Sequence, residues 1–172
     1  MPLPSTMTPI ATNTLTSNLA SGVITFSNIP QTYTDLVIVA VGQGYTSSSY
    51  GNLQVQFNGD TGTNYSSTEL KEFAGTASTS RRSTQSYLFA TSFLDAGSAS
   101  LLVGTSIINV MNYANATTYK TTLSRGNLPG FKTELNVGLW RSTAAITSLT
   151  LTANDTPINA GASFTLYGIK AA

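Results

Sequence analysis

The sequence predicts an all-β fold, an antiparallel two-sheet β-sandwich of jelly-roll type with an extended N-terminal arm. Three observations carry that expectation. Short runs rich in β-branched and aromatic residues alternate apolar with polar positions, as in Leu53-Gln54-Val55-Gln56-Phe57, which is the period of a half-buried strand. Clusters of Gly, Asn, Ser and Thr punctuate these runs at the intervals of about 8–12 residues that a sandwich needs. No window carries a helical apolar stripe bounded by caps.

Taken in order, residues 1–21 are polar, with early prolines, several threonines, and Ile10, Leu15 and Leu19 at no sustained period. They form an arm, and the sandwich occupies 22–172. An arm of this composition has no core of its own and is ordered only where the body of the domain or a neighbouring chain holds it. Pro2, Leu3, Pro4, Ile10 and Leu15 are its candidate contact residues.

The first strand of the body is Val23 to Phe26, followed by Leu36 to Val41, which is apolar on both faces and is the best candidate for a central strand. Leu53 to Phe57 runs into Asn58-Gly59-Asp60-Thr61-Gly62, whose residues supply the positive-φ positions of a tight reversal. Further strands are expected at Glu69 to Ala74, Gln85 to Thr91, Leu101 to Met111, Lys120 to Arg125, Phe131 to Trp140, Ile146 to Thr152 and Ser163 to Ile169. Within the segment from Phe131 to Trp140, Phe131, Thr133, Leu135, Val137 and Leu139 share one face, and Lys132, Glu134, Asn136 and Gly138 share the other. The Gly/Ser/Thr-rich stretches 42–51 and 75–84 read as loops.

Composition narrows function. Charged residues make up 9% of the 172-residue chain, against about 25% in ordinary domains. A neutral surface of hydroxyls and amides is cheaper to desolvate against a partner than one of Lys and Glu, so it suits a protein that packs against others. The net charge is +1 and no basic run exceeds Arg81-Arg82, so the footprint of a nucleic-acid binder is missing. Cysteine is absent, so neither disulfides nor thiolate metal sites contribute. No segment has the length or continuous apolarity of a membrane span, and the N-terminus lacks the pattern of a signal peptide. The expectation is a soluble protein made in a cytoplasm, with no membrane or nucleic-acid partner.

The chemistry available is sparse. Without histidine the commonest general base and metal ligand is missing. Lys71, Lys120, Lys132 and Lys170 are the only lysines for a Ser-Lys dyad, and none stands in a Ser-x-x-Lys spacing. The seven carboxylates, Asp35, Asp60, Glu69, Glu72, Asp95, Glu134 and Asp155, read as solvated turn and strand-end groups rather than as a hydrolytic pair. Asn58, Asp60 and Asn64 place oxygens near one another, but Asn-Gly-Asp is ordinary turn chemistry. No catalytic residue, metal or cofactor is therefore expected. The loop from Gly42 to Gly51 sets Tyr45 and Tyr50 among small polar residues, a composition suited to adaptable recognition of protein or sugar.

Three segments, Phe57 to Ser66, Gly138 to Leu149 and Phe164 to Ile169, resemble recurring blocks in small virion proteins of tailed bacteriophages, and the likeness runs from about Val23 to Lys170. The resemblance implies a jelly-roll domain, usually trimeric, serving as a capsid decoration (cement) protein or as the terminal domain of a tail fibre, with no catalytic residues. Fibre proteins usually carry a long shaft before that domain. Only about twenty residues precede the first expected strand here, which favours decoration. The expected partners are then itself as a homotrimer and the major capsid protein or other virion proteins, reached in part through the arm. A host surface glycan at Tyr45 and Tyr50 is the alternative, and the expected location is the virion, assembled in the host bacterial cytoplasm.

Overall fold

A computed structural model describes residues 6–20, 22–44, 51–94, 103–154 and 157–170. Twelve strands build it. In chain order they are β1 (Met7–Thr14), β2 (Val23–Phe26), β3 (Asp35–Gly42), β4 (Gly51–Phe57), β5 (Tyr65–Phe73) and β6 (Thr76–Gln85). After them come β7 (Leu88–Leu94), β8 (Gly104–Met111), β9 (Lys120–Leu128), β10 (Lys132–Trp140), β11 (Leu149–Asn154) and β12 (Ser163–Ile169).

All pairings are antiparallel, in one sheet ordered β1-β12-β3-β8-β9-β10-β5-β6 and a second ordered β2-β11-β4-β7. If β5, β6, β9 and β10 are set aside, the remaining eight strands fall into two four-stranded sheets, β1-β12-β3-β8 and β2-β11-β4-β7. That is the two-Greek-key winding of a jelly roll. The two remaining pairs are insertions, β5-β6 between β4 and β7 and β9-β10 between β8 and β11. They add side by side to β8 and lengthen one sheet to eight strands.

The core lies between the sheets. Leu36, Ile38 and Ala40 from β3 and Leu53, Val55 and Phe57 from β4 alternate inward, and Leu151, Phe164 and Leu166 pack against them with essentially no exposure. As expected, β3 is interior, flanked by β12 and β8.

The N-terminal segment is extended, but it does not lie outside the sandwich. Met7–Thr14 pairs with β12 along nearly its whole length and supplies the first strand of the jelly roll. Leu15 N–H donates to Ala162 O and Leu19 N–H to Ile158 O at 2.9 Å. The segment expected as an arm, residues 1–21, thus contains the edge strand of the larger sheet. The physical reason is that β12 would otherwise present an open edge of unpaired backbone groups.

The stretch 75–84, expected as a loop, is strand β6. It folds back on β5 through Ala74 (φ 48°) and Gly75 (φ 84°), which sit between the paired residues Phe73 and Thr76. Its Ser/Thr-rich sequence shows no apolar alternation because β6 is an edge strand whose side chains are mostly exposed. Asn58 (φ 53°) and Gly59 (φ 67°) do make the expected reversal, but it carries the chain from the smaller sheet to the larger one rather than closing a hairpin.

Candidate functional site

The inserted strands concentrate the chain's charge. Seven of its fifteen charged residues, Glu69, Lys71, Glu72, Arg81, Arg82, Lys132 and Glu134, lie on β5, β6 and β10. Alternation marks two faces on β10, and the structure turns the polar one inward: Glu134, Asn136 and Gly138 are buried, whereas Leu135 and Val137 are exposed.

The two inward carboxylates are held by ion pairs and hydrogen bonds, whereas both polar atoms of the buried Asn136 side chain have no hydrogen-bond partner. Glu69 Oε2 accepts from the Ser80 hydroxyl at 2.5 Å and from Arg82 at 3.0 Å, while Oε1 lies 3.3 Å from Lys71 Nζ. Burial raises the Glu69 pKa, but those hydrogen bonds and the Arg82 charge outweigh it, and the group ends below its ordinary value. Arg82 also lies 4.0 Å over the Phe89 ring. Glu134 pairs with Lys132 and accepts from Ser92 N–H at 2.5 Å. Lys132 donates to the Ser92 hydroxyl at 2.8 Å, and that hydroxyl donates to Asn52 Oδ1 at 2.8 Å. A Ser-Lys contact thus exists, and the same Lys132 Nζ is paired with Glu134. Lys120 is buried and donates to Thr118 O at 2.8 Å and Thr143 O at 3.1 Å, and burial lowers its pKa. Glu134, Lys132 and Lys120 thereby hold β7 and neighbouring loops onto the inserted strands.

The outward face of the same strands is different. Leu135 stands opposite Leu70 on β5 and Arg125 on β9, and Val137 stands opposite Leu123 on β9. Leu70, Leu123, Leu135 and Val137 are 53%, 39%, 43% and 53% exposed. With adjacent strands about 4.8 Å apart they form one contiguous apolar patch, which Met111 on β8, diagonal to Leu123, extends. These five are among the eleven large apolar side chains exposed in the described residues, so nearly half of that exposure is gathered on one surface. Two shallow depressions of about 300 and 420 Å³ flank Arg125, the first reaching Thr105 and Ile107 and the second Leu70, Glu72 and Leu135. The rim is polar, with Thr68, Thr121, Asn127 and Thr133, so the face has the anatomy of a protein interface with an arginine at its centre.

The residues singled out from sequence are not brought to this face. Ile10 and Leu15 are half-buried and pack on the chain's own core, Ile10 from the edge strand β1 and Leu15 just after it. Pro2, Leu3, Pro4, Tyr45 and Tyr50 lie outside the described residues, as do Asp95 and Asp155. Asp60 Oδ1 and Oδ2 accept from Gly62 N–H, Asn64 Nδ2 and Trp140 Nε1, and Asn58 Oδ1 accepts from the N–H groups of Thr147 and Ser148. These oxygens close turns instead of converging on an ion, and no group of three or more His, Cys, Asp or Glu side chains among the described residues could hold a metal. The described residues contain no helix long and apolar enough to cross a membrane. Sequence reasoning missed the outer face. The available signal was the apolar row Phe131, Leu135, Val137 and Leu139, whose direction only the sheet pairing reveals.

No family model matches the chain, and no curated protein does. Among solved structures it is similar to alginate lyase Aly36B, in a mutant complex with alginate tetrasaccharide, at 10% identity and a TM-score of 0.39 over 92% of this chain and 77% of that one. It is also similar to Scytalido-glutamic peptidase with a peptide-based transition-state analogue, at 15% identity and a TM-score of 0.33 over 87% and 74% of the two chains.

Proposed function

We propose that this chain is a non-enzymatic structural protein of a bacteriophage particle, a homotrimeric decoration protein that binds and stabilises the assembled head. The observation that carries the reading is the contiguous apolar patch of Leu70, Leu123, Leu135 and Val137 on a sheet face that none of the described residues covers. A sparsely charged surface favours burial in an assembly, and the jelly-roll winding is the fold that the sequence blocks of Phe57 to Ser66 and Gly138 to Leu149 imply for such virion proteins. Non-enzymatic action is supported by the occupation of Asp60, Glu69 and Glu134 in hydrogen bonds and ion pairs. Stabilisation of the head would follow from mass action, since contacts made only with the assembled shell favour it over dissociated subunits.

The test is a phage lacking this protein. Heads without it should lose DNA at lower temperature and lower salt than complete heads, and added protein should bind them saturably and restore resistance. Equal resistance of both kinds of head would overturn the cement role. Localisation of the protein to the tail, with binding to host surface glycan, would replace it with the tail-fibre reading.

A further inference from the structure

We propose that the outer face of β5, β10, β9 and β8 is the contact between copies of this chain, with Arg125 of one copy paired to Glu72 of the next. This rests on the homo-oligomer reading above and names the surface that builds the oligomer.

The argument is one of charge inside an apolar frame. Arg125 stands in the row Leu70, Leu135, Arg125, Ile107, which crosses four adjacent strands, and it makes no ion pair or hydrogen bond among the described residues. Any partner that covers the leucines also desolvates this guanidinium, so a carboxylate must arrive with it. Within the described chain the other acids are engaged. Asp35 accepts from Asn112 N–H at 2.6 Å, Asp60 is held by Trp140, and Glu69 and Glu134 are in buried ion pairs. Glu72 accepts only from Gly75 N–H and has no cation.

Glu72 shares the 420 Å³ depression with Arg125. It lies on β5, however, with β10 intervening, opposite Thr133 in the neighbouring row. Two strand spacings and one step along the strands separate the pair, and the two make no ion pair within the described residues. A second copy laid on this face brings each of them a partner of opposite charge. In a closed ring each chain gives Arg125 to one neighbour and takes Arg125 of the other on its Glu72, and in a twofold pair both contacts go to the same neighbour. Arg81, the other cation of this face, sits opposite Thr68 on the edge strand β6, where it stays solvated at the rim.

The experiment is charge reversal with rescue in the full chain, read by sedimentation velocity over a range of concentrations. Arg125→Glu and Glu72→Arg should each weaken self-association roughly tenfold or more, with unchanged thermal unfolding of the subunit, and the double reversal should restore most of the assembly. An oligomer unaffected by either single reversal, or a double variant no better than the singles, overturns this contact while leaving the homo-oligomer reading intact. A chain that stays monomeric at every concentration removes that reading and this inference with it. Reversals that leave self-association unchanged but abolish binding to the particle would assign the face to another virion protein instead.

Discussion

The indole N–H of Trp140 donates to Oδ2 of Asp60 across 2.7 Å, tying the last residue of β10 to the corner that follows β4. The same indole stacks on Tyr65 at 6.2 Å between centroids and tilts against Phe57 at 5.4 Å. One side chain thus joins the smaller sheet, the inter-sheet corner and two strands of the larger sheet. Loss of this bond by Trp140→Phe should lower unfolding free energy by about 1.5–3 kcal/mol, the usual worth of a hydrogen bond to a charged group. Urea unfolding followed by circular dichroism, in a double-mutant cycle with Asp60→Asn, would check it, and strict additivity of the two substitutions would contradict a direct coupling.

The Trp140 hydrogen bond holds the Asp60 carboxyl below its ordinary value, burial opposes this, and Asn64 and Gly62 reinforce it. A carboxylate with a depressed folded-state pKa stabilises the fold fully above its unfolded value, near 3.8, and the contribution disappears as pH falls through the lower folded value. Stability should therefore drop below about pH 4 in the wild type, with a shallower fall in Asp60→Asn. Parallel acid profiles of the two proteins would rule out this role.

Burial pushes the Tyr65 phenol up to about 12, although its hydrogen bond with the Phe57 backbone works the other way. Its neutral form is favoured in the folded state, so its contribution is complete below the unfolded value of 10.0 and is lost as pH rises towards 12. Alkaline unfolding should begin in that window. Tyr65→Phe should be less stable at pH 7, through loss of the bonds to Phe57 and Asp60, yet flatter between pH 10 and 12.

Consecutive residues on β10 should respond in opposite ways. Glu134→Gln leaves Lys132 without its buried carboxylate and should cost about 3–5 kcal/mol. Leu135→Ser, on the exposed face, should change subunit stability by no more than about 0.5 kcal/mol. Chemical denaturation under conditions where the chain is monomeric would separate the two, and a large loss in Leu135→Ser would mean that the face is covered within the chain.

Gly138 faces the interior where a Cβ would lie 2.4 Å from Thr122 Oγ1 and 2.5 Å from Leu88 Cδ2. Gly138→Ala should therefore destabilise by about 1–3 kcal/mol through overpacking. At Gly130, where φ is 75° but no atom lies within 4 Å of an added Cβ, Ala should cost about 1 kcal/mol from backbone strain alone. Thermal unfolding of both variants would test the contrast.

Most strands were legible in the sequence wherever burial imposes alternation. Leu53 to Phe57 has one face in the core and one in solvent, so its period survives in the residues. Strand β6 was illegible because an exposed edge places no apolar demand on its Ser and Thr side chains. Strand β1 was illegible because its side chains are mostly exposed and its place is set by backbone bonds to β12, more than 150 residues away in several of its pairs.

Fold class and the absence of histidine and cysteine follow from residue type and local period alone. Which side of β10 faces the core is set by its neighbours in the folded sheet. Alternation is symmetric between the two faces of a strand, and the choice depends on its neighbours. Ion pairs with Lys71, Arg82 and Lys132 let the acidic side be buried, and the leucines of β5, β9 and β10 were thereby turned outward to form the surface proposed for assembly.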